Sequence, residues 1–307
     1  MSDWNSIQSG KPGPPRLSIE QSWWAMGGLG EGGKEWTMEQ KFEKVAEAGY
    51  QGISAVIPAP AEQDLWHTLL DRYGLSFSGI AFPTSPRSLK EALQAASSFG
   101  RVQYMNLQVM DAFVVDHEAE RLLDALLRTA EGERMPTFVE THRGTVTQDL
   151  IRTVNYVRQV PQLKLIIDLS HYVVAGEMNG TSAAAEQHFE ALLDRTAGIH
   201  ARISNGEQVQ VDIGPEGDHP MVPHFTRWWR KGMSRWLAGA AAGQILPFVT
   251  ELGPPGYYAI TTMTPGGEAV EISDRWQQAL LFKQLAEQEW GQAVTEADKG
   301  TGHEDGN

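Results

Sequence analysis

One regularity constrains this chain more than any other: short apolar runs alternate, eight times over, with longer segments of helical period. The runs cover residues 17–26, 52–57, 75–82, 102–109, 136–140, 163–169, 199–203 and 245–251. Segments of helical character follow them at 37–48, 62–73, 88–99, 117–131, 147–160, 182–195, 225–242 and 274–294. In the fourth of these, Leu122, Leu123, Leu126, Leu127 and Ala130 recur at helical spacing with charges between them. Strict strand–helix alternation implies parallel strands joined by right-handed crossovers. Eight units in a chain of this length predict one closed (β/α)8 TIM barrel; an open doubly wound sheet is the alternative, and strand count separates the two.

Boundary signals agree with the helices. Thr37 with Gln40, and Ser88 with Glu91, have the spacing of capping boxes. Gly49 and Gly100 stand where helices should stop. Residues 1–15, rich in Ser, Gly and Pro, and the acidic residues 295–307 read as disordered tails around a barrel at 16–294.

Composition narrows the chemistry. With no Cys, the chain can form no disulfide, Fe–S cluster, thiolate zinc site or Cys nucleophile. A net charge of −14 opposes binding to a phosphate backbone or an anionic membrane. No segment approaches the ~20 apolar residues of a membrane span, and the N-terminus lacks a signal-type apolar core. The expectation is a cytoplasmic protein without nucleic-acid or membrane partners.

Function in such a barrel sits at the C-terminal strand ends. The fifth strand ends at Glu140, with His142 beyond it; the sixth at Asp168, with His171 beyond it. The seventh carries His200 and Arg202, and the eighth ends at Glu251. One carboxylate at a strand end is ordinarily a helix cap or a solvated loop residue, and Asp168 with His171 also fits a local Asx-turn. Four such residues on consecutive strands are a different matter. Three carboxylates at one mouth repel, and a divalent cation is the simplest remedy. Glu140, Asp168, His200 and Glu251 offer oxygen ligands and one nitrogen, which suits Mn²⁺, with Mg²⁺, Co²⁺ or Zn²⁺ as alternatives.

The segments FVETHRGTVTQDL, IIDLSHYV, IHARI and FVTELGPPGYY resemble the xylose isomerase-like TIM barrels, which include sugar isomerases, ketose 3-epimerases, inosose dehydratases and endonuclease IV. The resemblance spans nearly the whole chain and implies the same four metal ligands. It also implies that Glu140 and Glu251 move protons and that His171 binds substrate. Arg202 matches a substrate-binding arginine less closely, because it stands only two residues after His200. The implied reaction is isomerisation or epimerisation of a small carbohydrate through an enediolate. The alternative is β-elimination by a lyase or hydratase of keto-sugars or 3-keto-glycosides, within a homo-oligomer or beside an accessory subunit. The negative charge and the lack of a multi-His set argue against a nuclease. A non-catalytic binding barrel is the remaining class.

Other features have plainer readings. Gly28, Gly30 and Gly33 satisfy GxGxxG, but no acid ends the next strand, so a first-loop turn is expected rather than a nucleotide site. No Gly-rich phosphate cradle follows the seventh or eighth strand, so a non-phosphorylated substrate is preferred. Trp23 and Trp24 offer sugar-stacking faces, or one of them is core. Gln108, sharing a strand face with Asn106, either bonds a sugar hydroxyl or is structural. Residues 204–223 form a long loop whose His219, with the neighbouring His224, reads as solvated. Trp228, Trp229 and Trp236 read as helix packing, and His67, His117 and His188 as solvent-facing.

Overall fold

The computed structural model describes residues 4–256, 261–267 and 269–301. Eight parallel strands close into a barrel: β1 (Arg16–Ser22), β2 (Gly52–Val56), β3 (Ser76–Ala81), β4 (Val102–Leu107), β5 (Thr137–Glu140), β6 (Leu165–Ile167), β7 (Thr196–Ala201) and β8 (Ile245–Thr250). They neighbour one another in chain order, and β1 closes the ring by pairing with β8 from Arg16↔Ile245 to Gln21↔Thr250. The fold is thus a single (β/α)8 TIM barrel. Its helices are α1 (Met38–Glu47), α2 (Gln63–Tyr73), α3 (Pro86–Phe99), α4 (Asp116–Glu133), α5 (Leu150–Gln159), α6 (Ser170–Ala175), α7 (Ala183–Leu193), α8 (Val222–Leu237) and α9 (Arg275–Thr301). Among the described residues no helix is long and apolar enough to cross a membrane.

Local chemistry sets the boundaries. Thr37 and Gln40 form the expected reciprocal capping box. The second box lies elsewhere: α3 starts after Ser85, whose side chain accepts from the Ser88 amide, with Pro86 at the first helical position. The fixed φ of Pro86 begins the helix ahead of Ser88, and Glu91 pairs instead with Arg87 across an exposed helix turn. The first strand is shorter than its apolar run, because residues 24–26 turn into a single 3-10 turn. The GxGxxG segment is a hairpin, Gly30–Glu31 against Lys34–Glu35. Gly32 and Gly33 supply the two positive φ angles, +59° and +75°, that such a tight turn needs.

The helices clamp an outer apolar layer against the strands, with Phe42, Phe77, Leu93, Leu123, Phe189 and Phe248 buried there. Trp228 and Trp229 belong to it, as the packing reading expects. His67 does not face solvent freely: its Nε2 lies 2.9 Å from the Phe99 carbonyl and its ring stacks on Phe99.

The barrel interior has its own floor of Tyr104, Phe138, Ile166, Ala197 and Ile245. The N-terminal segment closes it, whereas the sequence of residues 1–15 reads as a disordered tail. Ile7 is 3% exposed and belongs to this floor cluster. Its carbonyl accepts from the Ile245 amide (3.0 Å), and Asn5 Oδ1 accepts from the Thr137 amide (2.8 Å). Inward side chains at the open end of a barrel need an apolar cover, and one Ile in a polar segment provides it. At the other terminus α9 runs to Thr301, past the expected boundary at 294; residues 1–3 and 302–307 lie outside the described set.

Ile7→Ala should therefore cost about 2–4 kcal/mol of stability, as truncations of buried Ile do. Urea unfolding checks this; an unchanged midpoint would mean that the segment does not close the floor.

Candidate active site

Strand parity delivers the functional side chains. Residues alternate between the barrel interior and the helix layer, so Asn106 of β4, Glu140 of β5 and His200 of β7 share the inner surface, and Gln108, His142 and Arg202 follow two residues on, just past the strand ends. Asp168 stands just past β6 and Glu251 just past β8. Glu140, Asp168, His171, His200 and Arg202 are all at most 1% exposed, and Glu251 is 4%.

Glu140 is gripped on one side. Asn106 Nδ2 and Gln108 Nε2 (3.1 Å) both donate to its Oε2, while the Thr147 hydroxyl donates to its carbonyl at 2.6 Å and fixes the following loop. Its Oε1 faces His200 Nδ1 at 3.6 Å, and Glu251 Oε2 lies 3.0 Å from the same nitrogen. Burial opposes a charged imidazole, but the two carboxylates outweigh it and hold the His200 pKa well above the ordinary value. Burial likewise works against Glu140 as an anion, and His200 with the Asn106 amide outweighs it, so Glu140 stays ionised.

Arg202 organises the other half. Its Nη1 donates to Asp168 Oδ2 (3.0 Å) and to His171 Nε2 (3.2 Å). Its Nη2 lies 3.2 Å from Glu251 Oε2, and its Nε donates to the Glu251 carbonyl (3.1 Å). A guanidinium that donates to His171 Nε2 requires a lone pair there, so the proton sits on Nδ1 and the ring is neutral. Burial, His142 and Arg202 all push the His171 pKa down, in the same sense. Burial raises Asp168 to about 6 against the pull of Arg202 and Ser170.

Asp168 does two jobs. Its Oδ1 accepts from the Ser170 amide (2.9 Å) and hydroxyl (2.6 Å), which is the Asx-turn alternative read from the sequence. Its Oδ2 points to Arg202. The four expected ligands therefore do not form one group. Glu140, His200 and Glu251 offer ligand atoms within 4.8 Å of one another, whereas Asp168 joins Glu251 through the guanidinium. A second group of the same compactness is Glu140, His142 and His171, the two imidazoles being 4.1 Å apart between ring centres.

The first group fits a divalent ion. Glu140 Oε1, which faces the group, is a buried polar atom with no hydrogen-bond partner, and buried polar atoms are rarely left so. Two carboxylates with one imidazole are a donor set that Mn²⁺, Mg²⁺ and Zn²⁺ accept. Above the group opens a cavity of about 420 Å³, with Gln108, His142, Arg202 and Glu251 on its polar wall and Trp24 on the opposite one. His219 lies outside both groups, and its Nδ1 accepts from the Met221 amide in a local turn. The long loop is pinned rather than loose, since Gln210 bonds both the amide (2.7 Å) and the carbonyl (3.3 Å) of Gly253. A larger cavity of about 560 Å³ lies at the floor beside Ile7, but its cations are spent, Lys164 on Asn5 and Arg195 on Pro161.

Comparison with known proteins fits this geometry. The profile of the family described as xylose isomerase-like TIM barrel matches residues 42–219. No curated protein matches the sequence. Among solved structures, a xylose isomerase-like TIM barrel protein from Mycobacterium smegmatis in complex with magnesium superposes with a TM-score of 0.58 at 12% identity, covering 90% of this chain and 97% of its own. A D-allulose 3-epimerase from Methylomonas sp. gives 0.57 at 14%, covering 91% and 100%. A probable 3-DHS dehydratase from Bacillus anthracis gives 0.51 at 13%, covering 88% and 98%. At such identities the likeness is one of fold.

The sequence reading missed Glu20. It sits on β1 in the barrel interior, fully buried, accepting from Ser78 (2.5 Å) and Tyr104 (3.1 Å) through Oε2. The available signal was a lone Glu inside the apolar run LSIEQS, on the inward parity. Burial raises its pKa from 4.5 to about 7, against the Ser78 and Tyr104 hydrogen bonds and the His200 charge. The folded protein therefore holds a proton that the unfolded chain has lost between these values. That stability is complete below 4.5 and disappears as pH rises through 7. Between pH 5 and 8 the native protein should lose about 2–3 kcal/mol more than Glu20→Gln. Paired urea titrations at the two pH values measure the difference; parallel curves would refute it.

Proposed function

We propose, since the chain belongs to the xylose isomerase-like TIM barrel family, that it is a divalent-metal-dependent isomerase or epimerase of a small, non-phosphorylated carbohydrate, acting by proton transfer at a carbon next to a carbonyl. The observation that carries this reading is the meeting of two buried glutamates, from the non-adjacent strands β5 and β8, across His200. Glu140, His200 and Glu251 would hold the ion, with Mn²⁺ as the favoured identity over Mg²⁺, Co²⁺ or Zn²⁺, while Asp168 stays on Ser170 and Arg202 beside them. Such an ion supplies Lewis acidity toward a carbonyl and its neighbouring hydroxyl.

The side chains do the rest. Glu140 is kept ionised beside His200 and is suited to take the α-proton; Glu251, on the polar wall of the cavity, is suited to return one. Return to the opposite face of the same carbon epimerises, and return to the neighbouring carbon isomerises. Arg202, Gln108 and His142 line the wall that would meet substrate oxygens, and neutral His171 stands behind Arg202, accepting from its Nη1. β-Elimination from a keto-sugar or 3-keto-glycoside uses the same first proton transfer. The dehydratase among the similar folds supports it as the second reading.

Exchange of substrate C–H for deuterium from ²H₂O, followed by NMR over a panel of ketoses and 3-keto-glycosides, tests both readings and separates them by product. Glu140→Gln and Glu251→Gln should each lower exchange about 10²–10⁴-fold, the usual yield of a positioned acid or base, without unfolding the barrel. Removing metal with a chelator should abolish exchange, and Mn²⁺ should restore it. Full activity in Glu140→Gln, or exchange that survives exhaustive chelation, would refute the proposal.

A further inference from the structure

The mouth of the barrel is divided. The cavity of about 420 Å³ has a polar wall from the later strands, but its other wall is Trp23, Trp24, Ala55, Val56, Ile80 and Phe82, from the ends of β1, β2 and β3. No polar side chain interrupts that wall among the described residues lining the cavity. Two of its members are conspicuous by exposure. Val56 is 57% exposed and Phe82 51%, each at the end of a strand that is otherwise largely buried. Exposing large apolar side chains forgoes burial worth about 25 cal/mol per Å², so folding does not explain their presence. Trp23 is held from behind by ring contacts to Phe42 and Trp66, ring centres 5.3 and 4.8 Å away.

A bare sugar fits such a mouth poorly. Its hydroxyls can be met by Gln108, His142, Arg202 and Glu251, but hydroxyls turned to the apolar wall would lose water and gain no partner, at about 1–3 kcal/mol each. A ligand matching both walls is polar at one end and apolar at the other. We propose that the substrate is a keto-sugar carrying an aromatic or alkyl substituent, an aryl glycoside with a ketone on its sugar ring in chemical class, with its sugar on the polar wall and its substituent on Trp24, Val56, Ile80 and Phe82. The sugar half rests on the function proposed above; the apolar half rests on the wall alone. The concavity and its continuity with the charged group favour a small molecule over a second copy of the chain.

The test compares phenyl with methyl glycosides of glucose, galactose and xylose by calorimetric titration of the full chain, with and without Mn²⁺. The phenyl member of at least one pair should bind at least about tenfold more tightly, with a more negative heat-capacity change. The rim variants Phe82→Ser and Val56→Ser should shrink that advantage to less than about threefold while leaving the methyl glycoside unchanged. Equal affinities within every pair, no binding of any phenyl glycoside, or a dimer in solution that Phe82→Ser dissolves would each overturn the proposal. Deuterium exchange on free ketoses and 3-keto phenyl glycosides keeps the two readings apart: its absence from both beside an intact phenyl advantage refutes the chemistry and leaves this inference standing.

Discussion

Three carboxylates share a dry space at the mouth of this barrel, and their mutual repulsion is the constraint that the surrounding structure answers. Glu140, Asp168 and Glu251 are nearly inaccessible to water, and unpaired charges in such a place cost several kcal/mol each. The structure answers with two cations placed between the anions rather than beside them. His200 lies between Glu140 and Glu251, and Arg202 lies between Asp168 and Glu251. Glu251 thus belongs to both halves. Two positive charges against three negative ones leave the group short of neutrality by one unit; a divalent ion taking the place of the His200 proton would, with Arg202, balance the three carboxylates.

The barrel makes this arrangement affordable by keeping polarity in layers. The floor is apolar and sealed by Ile7. Above it lies a neutral polar layer, in which Ser78 and Tyr104 donate to Glu20. The charged layer follows at the strand ends. Neighbouring strands are locked where the charges sit: the Thr141 hydroxyl accepts from the Asp168 amide (2.8 Å) and donates to its carbonyl (3.0 Å). A carboxylate held by its own backbone lock and its own turn loses little entropy when it pairs, which is how a site stays organised before a ligand arrives.

Much of this was legible in the sequence, for a definite reason. A period-2 strand ending in a charged residue predicts both the inward face and the height in the barrel, so Glu140, His200 and Glu251 could be placed together from spacing alone. Asp168 was placed on the correct rim, but its partner was not. Whether a carboxylate meets an ion or a guanidinium depends on the reach of Arg202, and reach is a matter of rotamer rather than of register. The same limit hid Glu20, whose partners come from β3 and β4, far along the chain. Ile7 was hidden differently: one apolar residue has no period, and only the closed floor gives it meaning. The GxGxxG spacing misled no one because the following strand lacked an acid; its glycines answer the turn of a hairpin, a local need that the same motif can satisfy.

The two walls of the mouth follow from the same chain order. Charged residues close β5 to β8, apolar ones close β1 to β3, and β4 stands between them with amides, Asn106 and Gln108, aimed at Glu140. A barrel rim is a ring, so this order becomes a spatial gradient across the opening, from full charge through amide to bare hydrocarbon. Chemistry at a carbonyl needs only the charged arc. An arc of hydrocarbon facing it, with Val56 and Phe82 half exposed, contributes nothing to proton transfer and little to stability. Its effect is on the orientation of what enters: an amphipathic ligand has one low-energy way in, and that way carries its polar end to the glutamates.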